Sequence, residues 1–192
     1  MKTVFFDIDT QLDFMMPAGA LSVPGAGKLI PAFASLNQWA WEHGVPVIST
    51  VDAHAENDAE FRQWPAHCIK GTHGQTKPDQ TLYRGRVIVP NEPIAALADA
   101  PQYLLEKQAL DCFTNVNLPA LLGRLNAERY VVYGVVTEYC VRCAVMGLLQ
   151  TGGRVELVTD AIQSLNGGDG RKTVDDFLAA GGHLTTLAAV RG

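Results

Sequence analysis

The chain has 192 residues, of which 47% are hydrophobic and 18% are charged, and its formal net charge at pH 7 is −5. This length is enough for one complete hydrophobic core and short for two, so we expect a single domain spanning residues 1–192. The negative charge with scattered lysines and arginines argues against nucleic acid as a partner, and the apolar runs are too short for a signal peptide or a membrane span.

The first quarter of the chain predicts two strands separated by one helix. Residues 3–9 are apolar enough for a central strand that is covered on both faces, and a loop rich in proline and glycine follows them. Residues 28–43 repeat apolar side chains at helical spacing and end at Gly44, a residue that favours helix termination. Residues 45–52 form the second predicted strand, with Pro46 near its start.

A long irregular region, residues 53–85, follows the second strand and is rich in His, Asp, Pro and Gly. Loops of this length inside a compact domain are usually functional. Beyond it the pattern predicts strands at 86–89, 102–107, 129–133, 154–160 and 183–190 and helices at 118–125, 141–149 and 171–180. Such alternation is typical of a single-domain, three-layer α/β/α fold, and we expect a mostly parallel sheet of about six strands.

Cys140 occupies the turn between the predicted strand 129–133 and the helix that follows it. Free backbone N–H groups and the positive end of the helix dipole favour a thiolate at such a turn, and the same groups can hold an oxyanion. For an isolated cysteine, a small buried structural residue is the simpler interpretation. The other residues at this edge of the sheet decide between the two.

Asp9, Asp52 and Lys107 also fall at or just after the carboxyl ends of predicted strands, where parallel sheets bind their ligands. Asp9 can accept the thiol proton and pass it to a leaving group, and Lys107 can stabilise the thiolate. Taken singly, Asp9 is as well explained as a strand-end cap and Lys107 as a surface lysine. Their convergence with Cys140 favours an active site.

A second group of residues predicts a metal site. Asp52 and His54 are two positions apart, so on an extended segment their side chains point to the same side. His67 is a candidate third ligand and Glu60 a candidate fourth. Two histidines with carboxylates suit Zn²⁺, Fe²⁺ or Mn²⁺ and leave a coordination position open.

Cys140 and Cys143 form a C-x-x-C pair, which makes a redox module an alternative. Thioredoxin-like proteins carry this pair after an early strand, whereas here it follows the fourth or fifth, so the redox interpretation is the weaker one. Four cysteines without a secretion signal predict reduced thiols in the cytoplasm: Cys68, Cys112, Cys140 and Cys143.

Taken in chain order, these motifs resemble those of the cysteine hydrolases of the isochorismatase-like superfamily, and the resemblance covers nearly the whole chain. The opening Asp9-x-Gln11-x-Asp13-Phe14 is similar to the family's first motif, whose leading aspartate is catalytic. Lys107, followed by Phe113-Thr114, resembles the catalytic lysine segment. The resemblance implies the isochorismatase-like hydrolase fold.

The nucleophile motif of the same family resembles Gly134-Val-Val-Thr137-Glu138-x-Cys140-Val141. The resemblance implies a cis peptide bond between Val135 and Val136. It also implies an oxyanion hole formed by the backbone N–H groups of Val136 and Cys140.

Within the superfamily the chain resembles the nicotinamidases, or pyrazinamidases. The segments Asp52-x-His54 and Trp64-Pro-x-His67-Cys-x-x-Gly71-Thr72 are similar to the metal-binding segments of that subfamily, and Glu60 stands where its members can supply a fourth ligand. Phe14 and Trp64 match the aromatic residues that sandwich the pyridine ring of the substrate, whose nitrogen lies on or near the metal.

The resemblance implies hydrolysis of nicotinamide to nicotinate and ammonia, within NAD salvage, through a thioester on Cys140. Asp9 would act as acid and base, Lys107 would stabilise the thiolate, and one divalent ion, zinc before iron or manganese, would orient the substrate. The alternative is another cysteine amidase, or an isochorismatase-type hydrolase, acting on a different small amide or vinyl ether. The oligomeric state is left open, a homo-oligomer included.

Overall fold

A computed structural model describes all 192 residues. The chain folds around one parallel sheet. Its seven strands lie in the order β3-β4-β2-β1-β5-β6-β7. They are β1 (Thr3–Ile8), β2 (Val47–Asp52), β3 (Val87–Val89), β4 (Gln102–Lys107), β5 (Arg129–Val135), β6 (Arg154–Gln163) and β7 (His183–Thr185). The α/β class is confirmed, with seven strands where about six were expected.

Six α-helices cover the two faces of the sheet: α1 (Leu12–Met15), α2 (Ile30–Glu42), α3 (Leu118–Leu125), α4 (Arg142–Leu149), α5 (Gly167–Ala179) and α6 (Leu187–Arg191). Successive side chains of a strand point to opposite faces. Phe5 of β1 accordingly belongs to a buried apolar cluster with residues of α2 and α6, and Phe6 to a second cluster with residues of α3, α4 and α5. The result is the predicted three-layer α/β/α arrangement.

Two predicted boundaries near the C-terminus were wrong. Helix α5 begins at Gly167 instead of residue 171, because the side chain of Asn166 accepts a hydrogen bond from the N–H of Gly168 and caps a glycine-rich first turn that has low helix propensity. The predicted strand 183–190 ends at Thr185. The Thr186 side chain then caps helix α6, and these residues leave the sheet.

The region of residues 53–85 is mostly irregular, as its composition predicts, and contains two short 3₁₀ turns, Ala59–Arg62 and Asp79–Thr81, and an isolated β-bridge between His54 and Ile69. It begins at the carboxyl end of β2, and its later part is held against the sheet by buried polar contacts such as that of Lys77 with Asp7. No helix of the chain has both the length and the apolar character needed to cross a membrane.

Candidate active site

The carboxyl ends of β1, β2 and β4 bring three charged side chains together. Asp52 and Lys107 are the last residues of adjacent strands and pair directly in the parallel register. Asp9 follows β1, the other neighbour of β2. Its backbone takes the left-handed conformation, with a φ of 47°, which ends the strand and is easier for aspartate than for most residues.

The Lys107 ammonium lies at the centre of the site. Its Nζ is 2.9 Å from Oδ2 of Asp9, contacts Oδ1 of Asp52, and donates a hydrogen bond of 3.6 Å to Sγ of Cys140. The side chains of Lys107 and Asp9 are each 1% exposed. One buried cation therefore joins the two carboxylates and the sulfur that the sequence placed at this edge.

Charge compensation governs the protonation of this group. Burial alone would lower the pKa of Lys107, but the charges of Asp52 and Asp9 outweigh it and raise the pKa well above its usual range. Burial pushes the pKa of Asp9 upward, yet the Lys107 charge, with hydrogen bonds from Lys107 and Thr50, brings it below its usual value. Lys107 and Asp9 are thus held as an ion pair.

Cys140 differs from the expectation drawn from its position at a helix start. Burial raises the pKa of its thiol well above the usual range, and the negative charges of Asp9 and Asp52 add to this effect, while Lys107 opposes it. The charge of one ammonium does not compensate for the burial of the sulfur between two carboxylates. In the resting site the thiol form is favoured, because the burial that the sequence does not reveal outweighs the local charges.

The turn that carries Cys140 joins β5 to α4. The peptide bond between Val135 and Val136 is cis, as expected. A π-turn at Thr137–Val141 follows, in which the Val136 carbonyl accepts hydrogen bonds from the N–H groups of Tyr139 and Val141. Gly134 is required just before it, because a β-carbon there would lie 2.1 Å from the carbonyl oxygen of Ile8.

Asp52, His54 and His67 form a buried cluster beside this group, and their ligand atoms all lie within 4.8 Å of one another. Oδ2 of Asp52 is 3.8 Å from Nε2 of His67 and 4.0 Å from Nε2 of His54. Two ligands of a four-coordinate zinc ion are about 3.3 Å apart when each bond is about 2.0–2.1 Å long, so these two distances are wider than zinc requires by less than about 1 Å. The two oxygens of Asp52 are divided between Lys107 and this cluster.

The donor atoms of the cluster fit a cation. Nε2 of His54 is buried and has no hydrogen-bond partner, which is costly unless an ion or water satisfies it. Burial lowers the pKa of His67, which favours the neutral imidazole that binds metals. Burial also raises the pKa of Asp52 to about 6 despite the Lys107 charge, so a further positive charge would stabilise its carboxylate.

Glu60, the candidate fourth ligand, lies in the 3₁₀ turn Ala59–Arg62 and lines the same cavity as His67 and Asp52. Its carboxylate is not among the three groups that lie within 4.8 Å of one another. Its role as a ligand therefore stays a prediction.

The cavity above Cys140 is lined mostly by apolar side chains. Phe14 and Trp64, predicted to hold the substrate ring, both line it, as do Val136 and Tyr139. The Trp64 and Tyr139 rings meet edge to face, with centroids 5.3 Å apart. Its polar lining consists of Asp9, Asp52, Glu60 and His67, with no lysine or arginine.

The structure also shows polar contacts that no sequence pattern predicted. Oε1 of the buried Gln11 accepts a 2.7 Å hydrogen bond from the Asp52 N–H, and its Nε2 donates 2.8 Å hydrogen bonds to the carbonyls of Asp52 and Gln75. Thr50 donates a 2.6 Å hydrogen bond to Oδ1 of Asp9. The motif around Asp9 contains Gln11, but nothing in its spacing shows that it holds the end of β2.

The redox alternative gains no support from the geometry. All four cysteines are free. Cys143 is half-buried in α4 and does not line the cavity that Cys140 lines.

Comparisons with known proteins point to one family. A family model described as "Isochorismatase domain" matches residues 3–189. Nicotinamidase from Escherichia coli (strain K12) is 26% identical over 208 residues, covering 94% of this chain and 93% of that protein.

Two solved structures extend the comparison. Pyrazinamidase of Pyrococcus horikoshii, in complex with zinc, has a TM-score of 0.81 and is 26% identical, covering 97% of this chain and 99% of that chain. N-carbamoylsarcosine amidase from Thermoplasma acidophilum has a TM-score of 0.79 and is 25% identical over the full length of both chains.

Proposed function

The chain belongs to the isochorismatase domain family, as an amidohydrolase, and on that premise we propose that it hydrolyses nicotinamide to nicotinate and ammonia. The observation that carries the proposal is the contact of one buried ammonium, Lys107, with Asp9, Cys140 and Asp52, three residues that line a mostly apolar cavity. A nucleophile, a proton acceptor and a candidate metal ligand thereby share one centre.

In the first half of the reaction, Sγ of Cys140 attacks the carboxamide carbon while its proton passes to Asp9. The carbonyl oxygen becomes an oxyanion, which the N–H groups of Val136 and Cys140 stabilise. Asp9 then returns the proton to the nitrogen, the carbon–nitrogen bond breaks, ammonia leaves, and a thioester remains on Cys140.

In the second half, Asp9 takes a proton from a water molecule that attacks the thioester carbon. Nicotinic acid forms as the departing sulfur of Cys140 recovers a proton from Asp9, and the acid then loses its own proton to the solvent to give nicotinate. The two halves together consume one amide and one water, and restore the thiol and the carboxylate.

Lys107 lowers the free-energy cost of the negative charges that Asp9 and Cys140 carry in both halves of the reaction. In the resting site the proton favours Cys140 over Asp9, so its transfer is uphill unless it is coupled to attack on the carbonyl. During that transfer Asp9 loses its negative charge while the sulfur gains one, and Lys107 contacts both. Its ammonium therefore stays paired throughout.

Asp52, His54 and His67 would hold one divalent ion, with Glu60 as the fourth protein ligand. Zinc is the first choice because two imidazoles and a carboxylate suit it, and iron or manganese would fit the same set. When bound, the ion supplies a Lewis-acidic contact that orients the pyridine ring in the cavity. Phe14 and Trp64 would flank that ring.

The lining of the cavity favours a neutral substrate. Its side chains include carboxylates and an imidazole but no lysine or arginine, so a substrate with its own carboxylate would be repelled by Asp9 and Glu60, with the bound metal ion as the single cation in the cavity to offset this repulsion. This favours nicotinamide and pyrazinamide over N-carbamoylsarcosine or isochorismate. The likeness to N-carbamoylsarcosine amidase makes another cysteine amidase the second candidate.

The proposal places the enzyme in NAD salvage in the cytoplasm, where its four free cysteines would stay reduced.

Ammonia release from a panel of amides tests the proposal. The panel contains nicotinamide, pyrazinamide, benzamide and N-carbamoylsarcosine, each assayed with protein stripped of metal and then supplied with zinc, iron or manganese. We expect the pyridine and pyrazine amides to be preferred, and only in the metal-loaded protein. Preference for benzamide, or equal rates without metal, would contradict the assignment.

A further inference from the structure

His54 is the most deeply buried of the four candidate ligands. It is fully buried, and the rings of Phe61 and His67 lie against it with centroids 5.3 and 4.9 Å away. Its backbone N–H donates to the carbonyl of Cys68, and its carbonyl accepts from the N–H of Lys70. Packing therefore fixes where the ring lies, but it does not decide which ring nitrogen carries the proton.

The contact with Asp58 determines which nitrogen of His54 carries the proton. Its Oδ2 lies 3.0 Å from Nδ1 of His54, on the side of the ring opposite to Asp52. A carboxylate only accepts hydrogen bonds, so Nδ1 must carry a proton, and in the neutral imidazole that binds metals Nε2 then carries the free lone pair. Nε2 is the buried atom without a partner that faces Asp52.

The second oxygen of Asp58 positions another part of the site. Oδ1 accepts a 2.9 Å hydrogen bond from the N–H of Glu60 and so begins the 3₁₀ turn Ala59–Arg62. That turn carries Glu60 and Phe61, which both lie beside the cluster. One carboxylate therefore fixes the orientation of His54 and the position of the segment next to it.

We infer that Asp58 is a positioning residue for the metal site, which sets His54 in the tautomer that can bind a cation through Nε2. The inference rests on the metal site of the proposed function. Carboxylates that accept from the second nitrogen of a metal-binding histidine raise its basicity and fix its orientation, and their loss typically weakens metal binding about 10–100-fold.

An Asp58→Asn substitution separates this role from simple capping. Asparagine caps helix starts as well as aspartate does, so the turn that carries Glu60 is retained. Its amide can no longer offer two acceptors, and an N–H donor turned toward His54 would favour the opposite tautomer. Glu56→Gln is the matched control, because it removes an exposed carboxylate of the same segment.

Two measurements decide the question. Zinc affinity is measured by competition with a chromophoric chelator, and the tautomer of His54 in the metal-free protein is read from its ¹⁵N NMR shifts. We expect Asp58→Asn to bind zinc about 10–100-fold more weakly and to move the proton toward Nε2. Glu56→Gln should match the wild type in both.

The possible failures are distinguishable. If the wild type binds zinc but Asp58→Asn binds it equally well, or keeps the wild-type tautomer, the role of Asp58 is overturned while the metal site stands. If the wild type binds neither zinc, iron nor manganese stoichiometrically, the metal site itself is overturned, and this inference with it.

Discussion

Replacing Lys107 with methionine should destabilise the fold as well as stop catalysis. The substitution keeps the length of the side chain but leaves Asp9 and Asp52, whose side chains are 1% and 5% exposed, without their shared cation. Removing one member of a buried ion pair typically costs about 3–5 kcal/mol. Domains of this kind unfold with about 5–15 kcal/mol, so this loss is a large fraction of the total.

Urea unfolding of the metal-free protein measures the effect. For a slope of roughly 2–3 kcal/mol per M, the midpoint should fall by roughly 1–2.5 M. Lys172→Met is the control, because Lys172 is 72% exposed and pairs with Asp176 at the surface of α5. If both variants unfold at the wild-type midpoint, the ammonium does not compensate the buried carboxylates and the reasoning fails.

Three further predictions concern neighbouring groups. His54→Ala and Asp52→Asn should both weaken zinc binding. At saturating zinc the kcat of Asp52→Asn should still be below that of His54→Ala, because Asp52 also contacts Lys107. Equal kcat values for the two variants in an ammonia-release assay would contradict this. Gln11→Met should lower the free energy of unfolding by about 1–3 kcal/mol for each backbone group of Asp52 that loses its hydrogen-bond partner. An unchanged urea midpoint would show that water takes the place of the Gln11 amide. Partial burial raises the pKa of Glu156, but hydrogen bonds from two arginines outweigh it and lower the pKa, so its stabilisation is present at neutral pH and is lost as the pH falls through the folded-state value. Glu156→Gln should therefore lose less stability than the wild type between neutral and strongly acidic buffer, and equal losses in urea titrations would refute the assignment.

Much of the fold follows from patterns that are local in the chain. The apolar runs of β1 and β5 and the proline in the first turn of α3 define these elements without tertiary information. Parallel strands align their carboxyl ends, so the meeting of Asp9, Asp52 and Lys107 could also be predicted. The start of α5 could not, because its glycine-rich first turn depends on a single cap from Asn166.

Burial limited the prediction of the site. The position of Cys140 at a helix start favours a thiolate, but the depth of the site reverses this in the resting state. The roles of Gln11 and Asp58 could not be predicted either, because they depend on contacts that form only in the folded chain. Gln11 contacts Asp52, which is 41 residues away in the chain, and Asp58 contacts His54, four residues away, across a loop whose irregular conformation no sequence pattern defines.

The most direct test of the central claim compares nicotinamide hydrolysis by Cys140→Ala and Cys143→Ala, with zinc content and unfolding midpoint measured on the same samples. Both substitutions remove one sulfur from the same short segment, but only Cys140 lines the cavity. We expect no detectable ammonia from folded, metal-loaded Cys140→Ala and near-wild-type release from Cys143→Ala. Substantial ammonia release by Cys140→Ala would contradict it.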